Sequence, residues 1–145
     1  MESAIIELNS STKVRVRYAE TDKMGFVYNG MYFTYFEVGR TEMMRKVGLP
    51  YSELEKSGYQ LPLISAHVDF KSPAFYDDEL EITAHLKFEK RATMKINYNI
   101  FRDNSTIAEG YTVHCFINAV TKKPVKPPKV FVEALESAVN KINKE

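Results

Sequence analysis

The sequence lacks several features that mark particular classes of protein. Its 145 residues contain one cysteine, Cys115, and no tryptophan. A single cysteine cannot form an internal disulfide or a group of thiolate ligands, which argues against a disulfide-stapled scaffold and a thiolate metal cluster. Because a free thiol suits a reducing compartment, we expect a cytoplasmic protein.

Strong charge and long apolar runs are missing as well. Twenty basic residues nearly balance 19 acidic ones, so the net charge of +1 gives no basic field for nucleic acid. No stretch approaches the roughly 20 apolar residues that span a bilayer. Residues 1–11 contain acids and lack a basic flank before an apolar run, so we expect no signal peptide. The length predicts one domain, residues 1–145.

The periodicity of the chain predicts strands around one long helix. Residues 31–47 have helical spacing, a short helix is expected over 51–57, and a terminal helix over 130–142. Alternating segments predict strands at residues 13–18, 60–71, 79–89, 94–100 and 107–120. Short turns between the later strands favour an antiparallel meander. We therefore expect an α+β fold in which a sheet of five or six antiparallel strands wraps around the long helix.

The long helix has a broad apolar face with one charged residue in it. On a helical wheel this face contains Tyr32, Phe33, Phe36, Gly39, Met43, Met44 and Val47. Arg40 falls in its middle, where an unpaired charge is costly. Glu37 lies three residues earlier, at a spacing that allows an ion pair with Arg40.

A loop at residues 19–29 carries one carboxylate, Asp22, to the start of this helix. The first turn of a helix has unpaired N–H groups and a partial positive charge. A carboxylate beside it can act on a carbonyl group that those N–H groups polarise. The alternative is that Asp22 only stabilises a turn, as aspartates commonly do.

The segments 16–32 and 36–42 resemble the signature of hotdog-fold acyl-CoA thioesterases, in the 4-hydroxybenzoyl-CoA thioesterase and YbgC-like group. Residues 70–80 and 120–128 resemble later segments of that family. The resemblance implies a hotdog fold and an acyl-CoA substrate, with no metal or redox cofactor. It also implies a homodimer, often paired into a homotetramer, with active sites at the subunit interface.

Carried over by position, the resemblance makes Asp22 the catalytic carboxylate. It places the backbone N–H of Asn29 on the thioester oxygen, with Gly30 as a candidate second donor. Many YbgC-like members have histidine where this chain has Asn29, which leaves the backbone role but no acid–base side chain there. Glu37 resembles a helix carboxylate of the group, either as a partner of Arg40 or in the active site.

Further candidates concern the two halves of the substrate. Lys90 and Arg91 at a strand turn, and Lys71, suit the phosphates of CoA, although turn charges are also commonly only solvated. Tyr28 and Tyr32 are candidates for an acyl pocket, with core packing as the alternative. The histidines, His67, His85 and His114, are scattered singly without metal-ligand spacing, so no metal site is expected.

Two other functions remain open from the sequence. The same fold and site would serve a thioesterase that acts on acyl carrier protein. A hotdog domain can also be a non-catalytic module that binds acyl-CoA or acts as a scaffold, because a fold does not determine function.

Overall fold

A computed structural model describes residues 5–144 of the chain, and the side chains of residues 5–141. Over those residues the elements are β1 (Ile6–Arg15), a 3₁₀ turn (Tyr18–Glu20), α1 (Met31–Lys46), α2 (Tyr51–Lys56), β2 (Tyr59–Gln60), β3 (Leu63–Phe70), β4 (Glu79–Phe88), β5 (Thr93–Arg102), β6 (Ser105–Cys115), β7 (Ile117–Asn118) and α3 (Lys129–Lys144). Of the segment 1–11, for which no signal peptide is expected, residues 1–4 lie outside the described residues, and residues 6–11 belong to β1.

Five of the strands form one antiparallel sheet in the order β1-β4-β5-β6-β3. β4, β5 and β6 follow one another through short turns, as the expected meander requires. β3 departs from the meander, because it pairs with β6 and forms the edge opposite β1. The connection formed by residues 71–78 is long enough to pass β6 and β5, since three strand spacings are about 14 Å.

Two predicted strands are interrupted where a strand cannot continue. The strand expected over 60–71 stops at Pro62, which has no N–H to donate, and the N–H of Leu61 turns to the hydroxyl of Tyr51 at 3.0 Å. The strand expected over 107–120 is broken at Phe116, which is buried. The short pieces β2 and β7 pair with each other in a separate two-stranded sheet.

Helix α1 packs along one face of the five-stranded sheet. The residues on its buried side are Tyr32, Tyr35, Phe36, Gly39, Met43 and Met44. Phe36 stacks on Tyr98 with ring centroids 4.4 Å apart. A Cβ on Gly39 would lie 2.9 Å from Ile82, so glycine permits this close approach to the sheet. The placement of Phe33 on the buried face is wrong: its side chain is 38% exposed, and Tyr35 is buried instead.

The sheet has two distinct ends. At the end that we call the loop end, β1 and β3 finish and β4 begins, and the segment 16–30 connects β1 to α1. At the opposite, far end, Phe131 of α3 packs edge-on against Phe88 and Phe116, at 5.3 and 4.9 Å. The α3 stripe was expected to continue to Ile142, whose side chain lies outside those described. Among the described residues, no helix combines the length and apolarity needed to cross a membrane.

Candidate active site

The segment that carries Asp22 forms a small hairpin at the loop end of the sheet. Thr21 and Val27 make an antiparallel bridge, and the N–H of Asp22 donates to the carbonyl of Phe26 at 3.0 Å. Gly25 closes the turn at φ +86°, in the left-handed region that favours glycine. The hairpin is joined to the connection between β3 and β4, because the N–H of Val27 donates to the carbonyl of Ala74 at 2.8 Å. Asp22 is therefore held at a defined place beside α1.

The side chain of Asp22 is exposed, and one of its oxygens has a partner. Oδ1 accepts a hydrogen bond from the N–H of Met24 at 2.9 Å, which is the turn-stabilising role considered from the sequence. Oδ2 accepts no hydrogen bond from the described residues. The structure therefore gives Asp22 a structural contact and still leaves a carboxylate oxygen open to solvent or to a ligand.

The start of α1 leaves backbone donors unused. The N-cap position is Gly30, which has no side chain to cap the helix. The N–H of Met31 donates to Tyr28 at 2.9 Å, whereas those of Asn29 and Gly30 donate to no backbone carbonyl in the described chain. The two amides can therefore bind an oxygen atom from outside the chain, with the helix dipole supporting negative charge on it.

A cavity of about 200 Å³ opens beside Asn29. Its lining residues are Phe26, Val27, Asn29, Tyr32, Phe70, Lys71, Ser72 and Pro73. The structure thus brings together three of the residues predicted for the site, Asn29, Tyr32 and Lys71. Asp22 does not line this cavity within one chain, although the carbonyl of Phe26, to which its N–H is bonded, belongs to a lining residue.

Tyr32 forms an aromatic wall of the cavity. It is buried and meets Phe70 edge-on at 5.3 Å and Tyr35 at 5.9 Å, and burial raises the pKa of its hydroxyl. Lys71 lies at the rim, where its Nζ is 3.4 Å from Glu109 Oε1. The cavity therefore has an apolar interior and a basic group at its opening.

A buried carboxylate that the sequence analysis missed connects the Asp22 hairpin to α1. Glu20 is only 8% exposed, and it accepts hydrogen bonds from the N–H and Nε of Arg17 and from the hydroxyl of Tyr35, at 3.0, 3.0 and 2.9 Å. Burial by itself raises the pKa of Glu20, but the hydrogen bonds from Arg17 and Tyr35 together hold it below its usual value. The three-residue spacing of Arg17 and Glu20, as in a capping box, is the sequence signal that was available.

Tyr28 and Gly30 lie at the mouth of the helix rather than inside the cavity. Tyr28 is exposed, and its ring covers Gly30 so closely that a Cβ there would be 2.7 Å from Tyr28 Cε1. The carbonyl of Glu20 accepts the N–H of Tyr28 at 2.9 Å, which fixes the backbone just before the free amides. Tyr28 is thus placed to cover a ligand at these amides, although it does not line the 200 Å³ cavity.

Lys90 and Arg91 lie away from this cavity within one chain. They follow β4 at the far end of the sheet, and β4, with ten residues, is about 33 Å long. Lys90 pairs with Glu136 of α3 at 3.5 Å and Arg91 with Glu89 at 3.6 Å. The two basic residues could approach a ligand at the Asn29 amide only from a second copy of the chain.

Glu37 and Arg40 do not form the ion pair that their spacing allows. No nitrogen of Arg40 lies within 4 Å of a carboxylate oxygen of Glu37. Both line a second cavity, of about 410 Å³, on the C-terminal half of α1. Its other lining residues are Thr41, Tyr51, Leu61, Pro62, Leu63 and His114. Glu37 therefore lies outside the cavity that contains Asn29 of the same chain.

His114 belongs to a chain of buried polar groups under Arg40. Its Nε2 lies 2.9 Å from Thr112 Oγ1, which is 2.7 Å from the hydroxyl of Tyr98, and its Nδ1 lies 3.3 Å from the carbonyl of Leu61. Burial, helped by the charge of Arg40, lowers the pKa of His114 to about 4. The ring is therefore neutral near pH 7. Among the described residues no group of three or more histidine, cysteine or acidic side chains is arranged to hold a metal ion.

Comparison with known proteins gives consistent matches along most of the chain. Residues 16–135 match the family model described as the thioesterase-like superfamily. The crystal structure of a hypothetical protein from Aquifex aeolicus is 35% identical, with a TM-score of 0.82 over 87% of this chain and 98% of that one. DHNA-CoA thioesterase from Staphylococcus aureus is 31% identical, with a TM-score of 0.82 over 94% and 91% of the two chains. The Escherichia coli acyl-CoA thioester hydrolase YbgC is 28% identical over 82% of this chain and 90% of its own length.

The neutral, buried His114 makes the stability of the fold depend on pH. The unfolded chain binds a proton on histidine below about pH 6.5, whereas the folded chain resists it until about pH 4. The contribution of neutral His114 to the free energy of unfolding is therefore fully present above the pKa of the unfolded chain. It decreases as the pH drops from 6.5 towards 4, and the loss is about 2 kcal/mol at pH 5. Urea denaturation of wild type and His114→Gln at pH 7.5 and 5 tests this. The difference in the free energy of unfolding between pH 7.5 and pH 5 should be smaller in His114→Gln than in wild type, and it should be unchanged in the control His85→Gln. An equal loss of unfolding free energy in all three proteins would contradict the assignment.

Proposed function

Because the chain belongs to the thioesterase-like superfamily, we propose that it hydrolyses acyl-CoA thioesters where the Asp22 hairpin meets the start of α1. The family resemblance and the hotdog fold class expected from the sequence are confirmed by the comparisons. Relatives named for acyl-CoA and DHNA-CoA hydrolysis support the substrate class. The observation that carries the proposal is the unused amide of Asn29 beside a cavity with an apolar interior, with the unused amide of Gly30 next to it in the chain.

The amides provide the electrostatic part of the reaction. A thioester carbonyl placed in the cavity accepts hydrogen bonds from the N–H of Asn29, with Gly30 as a second donor. As the carbonyl carbon becomes tetrahedral its oxygen gains negative charge, and donors already aimed at it stabilise the transition state more than the ground state. The dipole of α1 acts in the same direction. The leaving CoA thiolate needs little assistance, which fits a site without a histidine at position 29.

Asp22 supplies the carboxylate in one of two ways. As a general base it takes a proton from water while the water oxygen bonds to the acyl carbon, and the carbon–sulfur bond then breaks. As a nucleophile it bonds to the acyl carbon itself, releases the thiolate and forms an anhydride that water hydrolyses. A single turnover in H₂¹⁸O distinguishes the routes when the label enters the Asp22 carboxylate, because only the anhydride route transfers solvent oxygen to the protein.

We further propose that the active unit contains two copies paired along β3. This strand forms a free edge of the sheet, and its large apolar side chains Leu63, Ile64 and Phe70 are 49%, 56% and 51% exposed. Such an edge is a ready template for another strand. Two-fold symmetry makes the pairing antiparallel, which sets the loop end of one copy beside the far end of the other. Each site then receives groups from both copies, including candidates such as Glu37, Lys90 and Arg91 that lie away from Asn29 within one chain. A tetramer requires a further surface.

Asp22→Asn should lower kcat by about 10²–10⁴-fold, because the amide neither accepts the proton nor attacks the carbonyl. The turn should survive, since an asparagine oxygen can still accept the N–H of Met24. Thiol release from acyl-CoAs of graded length and from aryl-CoAs measures the effect. Asp103→Asn, the same change in another exposed turn, should leave turnover at the wild-type rate. Full turnover in Asp22→Asn would reject the role of Asp22.

The same assay on wild type separates the alternative functions. Binding of acyl-CoA without thiol release would favour the non-catalytic binding module. Activity only on acyl carrier protein would favour the thioesterase that uses that carrier.

The backbone donor is tested by comparing two substitutions at one position. Asn29→Ala keeps the N–H and Asn29→Pro removes it, so the proline variant should have a kcat about 10²–10³-fold below that of the alanine variant. Circular dichroism and thermal melting verify that α1 persists in both variants. Equal rates in two folded variants would show that this amide does not bind the thioester oxygen.

The β3 edge predicts how the chain assembles. Wild type should sediment at twice the 16.7 kDa of one chain, and Ile64→Glu should shift the protein toward monomer with a parallel loss of thioesterase activity. Val120→Glu is the matched control, since Val120 is 89% exposed and lies outside the five-stranded sheet. A wild-type monomer that is fully active at the assay concentration would contradict the shared site.

A further inference from the structure

The connection between β3 and β4, formed by residues 71–78, joins two parts of the candidate site. Ser72 and Pro73 belong to the wall of the 200 Å³ cavity. The next residue, Ala74, accepts the N–H of Val27 at 2.8 Å and so holds the hairpin with the proposed catalytic carboxylate. The position of this connection therefore determines where both the cavity wall and the carboxylate lie.

The middle of this connection has no backbone link to the sheet. Near its start the N–H of Ser72 donates to the carbonyl of Ile107 at 3.1 Å, and near its end the N–H of Asp77 donates to the carbonyl of Val16 at 2.9 Å. Within the described chain, no backbone hydrogen bond joins residues 73–76 to a strand of the five-stranded sheet. A firm link between the sheet and these residues must therefore involve a side chain.

Arg102 supplies this link. It is the last residue of β5, which is the middle strand of the sheet, and it is half-buried. Its Nη1 donates to the carbonyl of Pro73 at 3.0 Å and to Oδ2 of Asp78 at 2.8 Å. The guanidinium also lies over the ring of Phe75, 5.9 Å from the ring centroid. One side chain from the centre of the sheet thus contacts three residues of the connection.

Asp78 extends this contact into the turn that follows the cavity wall. Its Oδ2 accepts the N–H of Phe75 at 2.8 Å in addition to the guanidinium of Arg102. The side chains of Arg102 and Asp78 are 29% and 23% exposed, whereas those of the Arg45–Glu42 pair on α1 are 57% and 36% exposed. Water screens the first pair less, so its charge-assisted hydrogen bonds hold their groups more firmly.

We propose that Arg102 is a positioning residue for thioester hydrolysis, which holds the cavity wall and the Asp22 hairpin in place through Pro73 and Asp78. This inference rests on the proposed function, because it assigns a task within that reaction. Arg102 does not line the cavity, so its loss should act on the order of these segments rather than on a contact with the substrate. A displacement of about 1 Å at a reacting group can lower a rate by about 10²-fold.

The kinetic test replaces Arg102 by methionine, which keeps an apolar stem over Phe75 and removes the hydrogen-bond donors. With the acyl-CoA that wild type hydrolyses fastest, Arg102→Met should lower kcat by at least about tenfold and change KM by less than about threefold. Arg102→Lys should recover part of the loss, because an ammonium group can still donate to Asp78. Arg45→Gln, which removes an arginine from the exposed pair on α1, should keep the wild-type kcat.

Hydrogen–deuterium exchange of the same full-length proteins gives a readout that needs no activity. In Arg102→Met the N–H of Val27 should exchange at least about tenfold faster than in wild type, because its acceptor Ala74 is held less firmly. Amides in the centres of β4 and β5 should keep their wild-type rates. Asp78→Asn should accelerate exchange at Val27 as well, and the double variant should add little, because the two residues act as one pair.

Unchanged exchange at Val27 in both Arg102→Met and Asp78→Asn would overturn the proposal. Equal acceleration throughout the sheet would also overturn it, since it would indicate only a loss of overall stability. If Arg102→Met does not fold, Asp78→Asn decides by the same exchange pattern and kcat. Full kcat in the variants of an active wild type would refute the positioning role alone, whereas a wild type that releases no thiol from any acyl-CoA would refute the proposed function.

Discussion

The hydrogen bond between the Tyr35 hydroxyl and the buried Glu20 carboxylate joins the two parts on which the site depends. Tyr35 belongs to the rigid face of α1, whereas Glu20 begins the segment that carries Asp22. The carbonyl of the same glutamate accepts the N–H of Tyr28, just before the free amides. One residue thus fixes the carboxylate loop and the helix start relative to each other. A loop that carries a reacting group needs such an anchor, because positioning that group requires that its surroundings are ordered in advance.

The parts of this arrangement that could be predicted from the sequence are those governed by local rules. The helical spacing after Gly30 located α1 to within one residue at its C-terminal end, and the position of Asp22 before a helix start followed from it. The proposed role of the Asn29 amide came from the family resemblance and stays a prediction; the local rule behind it is that a helix start leaves N–H groups free whatever the residue type. The family resemblance supplied the chemistry that these local features alone left open.

The parts that could not be predicted depend on contacts between distant segments. β3 pairs with β6 because the irregular connection after β3 crosses the sheet before β4 begins. The alternation of apolar and polar residues within β3 does not indicate which strand lies beside it. Glu20 and Tyr35 are fifteen positions apart, so neither reveals the other in a sequence pattern. Phe33 was placed on the buried face because a helical wheel considers only hydrophobicity. It does not include the hydrogen bond to buried Glu20 that keeps the Tyr35 side chain inside. Lys90 and Arg91 suit phosphate by type, but only the register of β4 reveals their distance from Asn29.

Helix α1 departs from the rules of helix stability at two places, and both lie at cavities. Its start has glycine at the N-cap and no side-chain cap, which typically makes a helix less stable by roughly a few tenths of a kcal/mol. Eleven positions after Asn29, Arg40 occupies a half-buried position without a carboxylate partner. Between them, Phe36 stacks on Tyr98 and Gly39 brings the helix close to the sheet. A helix held this firmly at its centre tolerates unsatisfied groups at its start, and the free amides there are able to bind an oxygen anion. The packing that stabilises the middle of α1 is therefore what allows its start to remain available for a ligand.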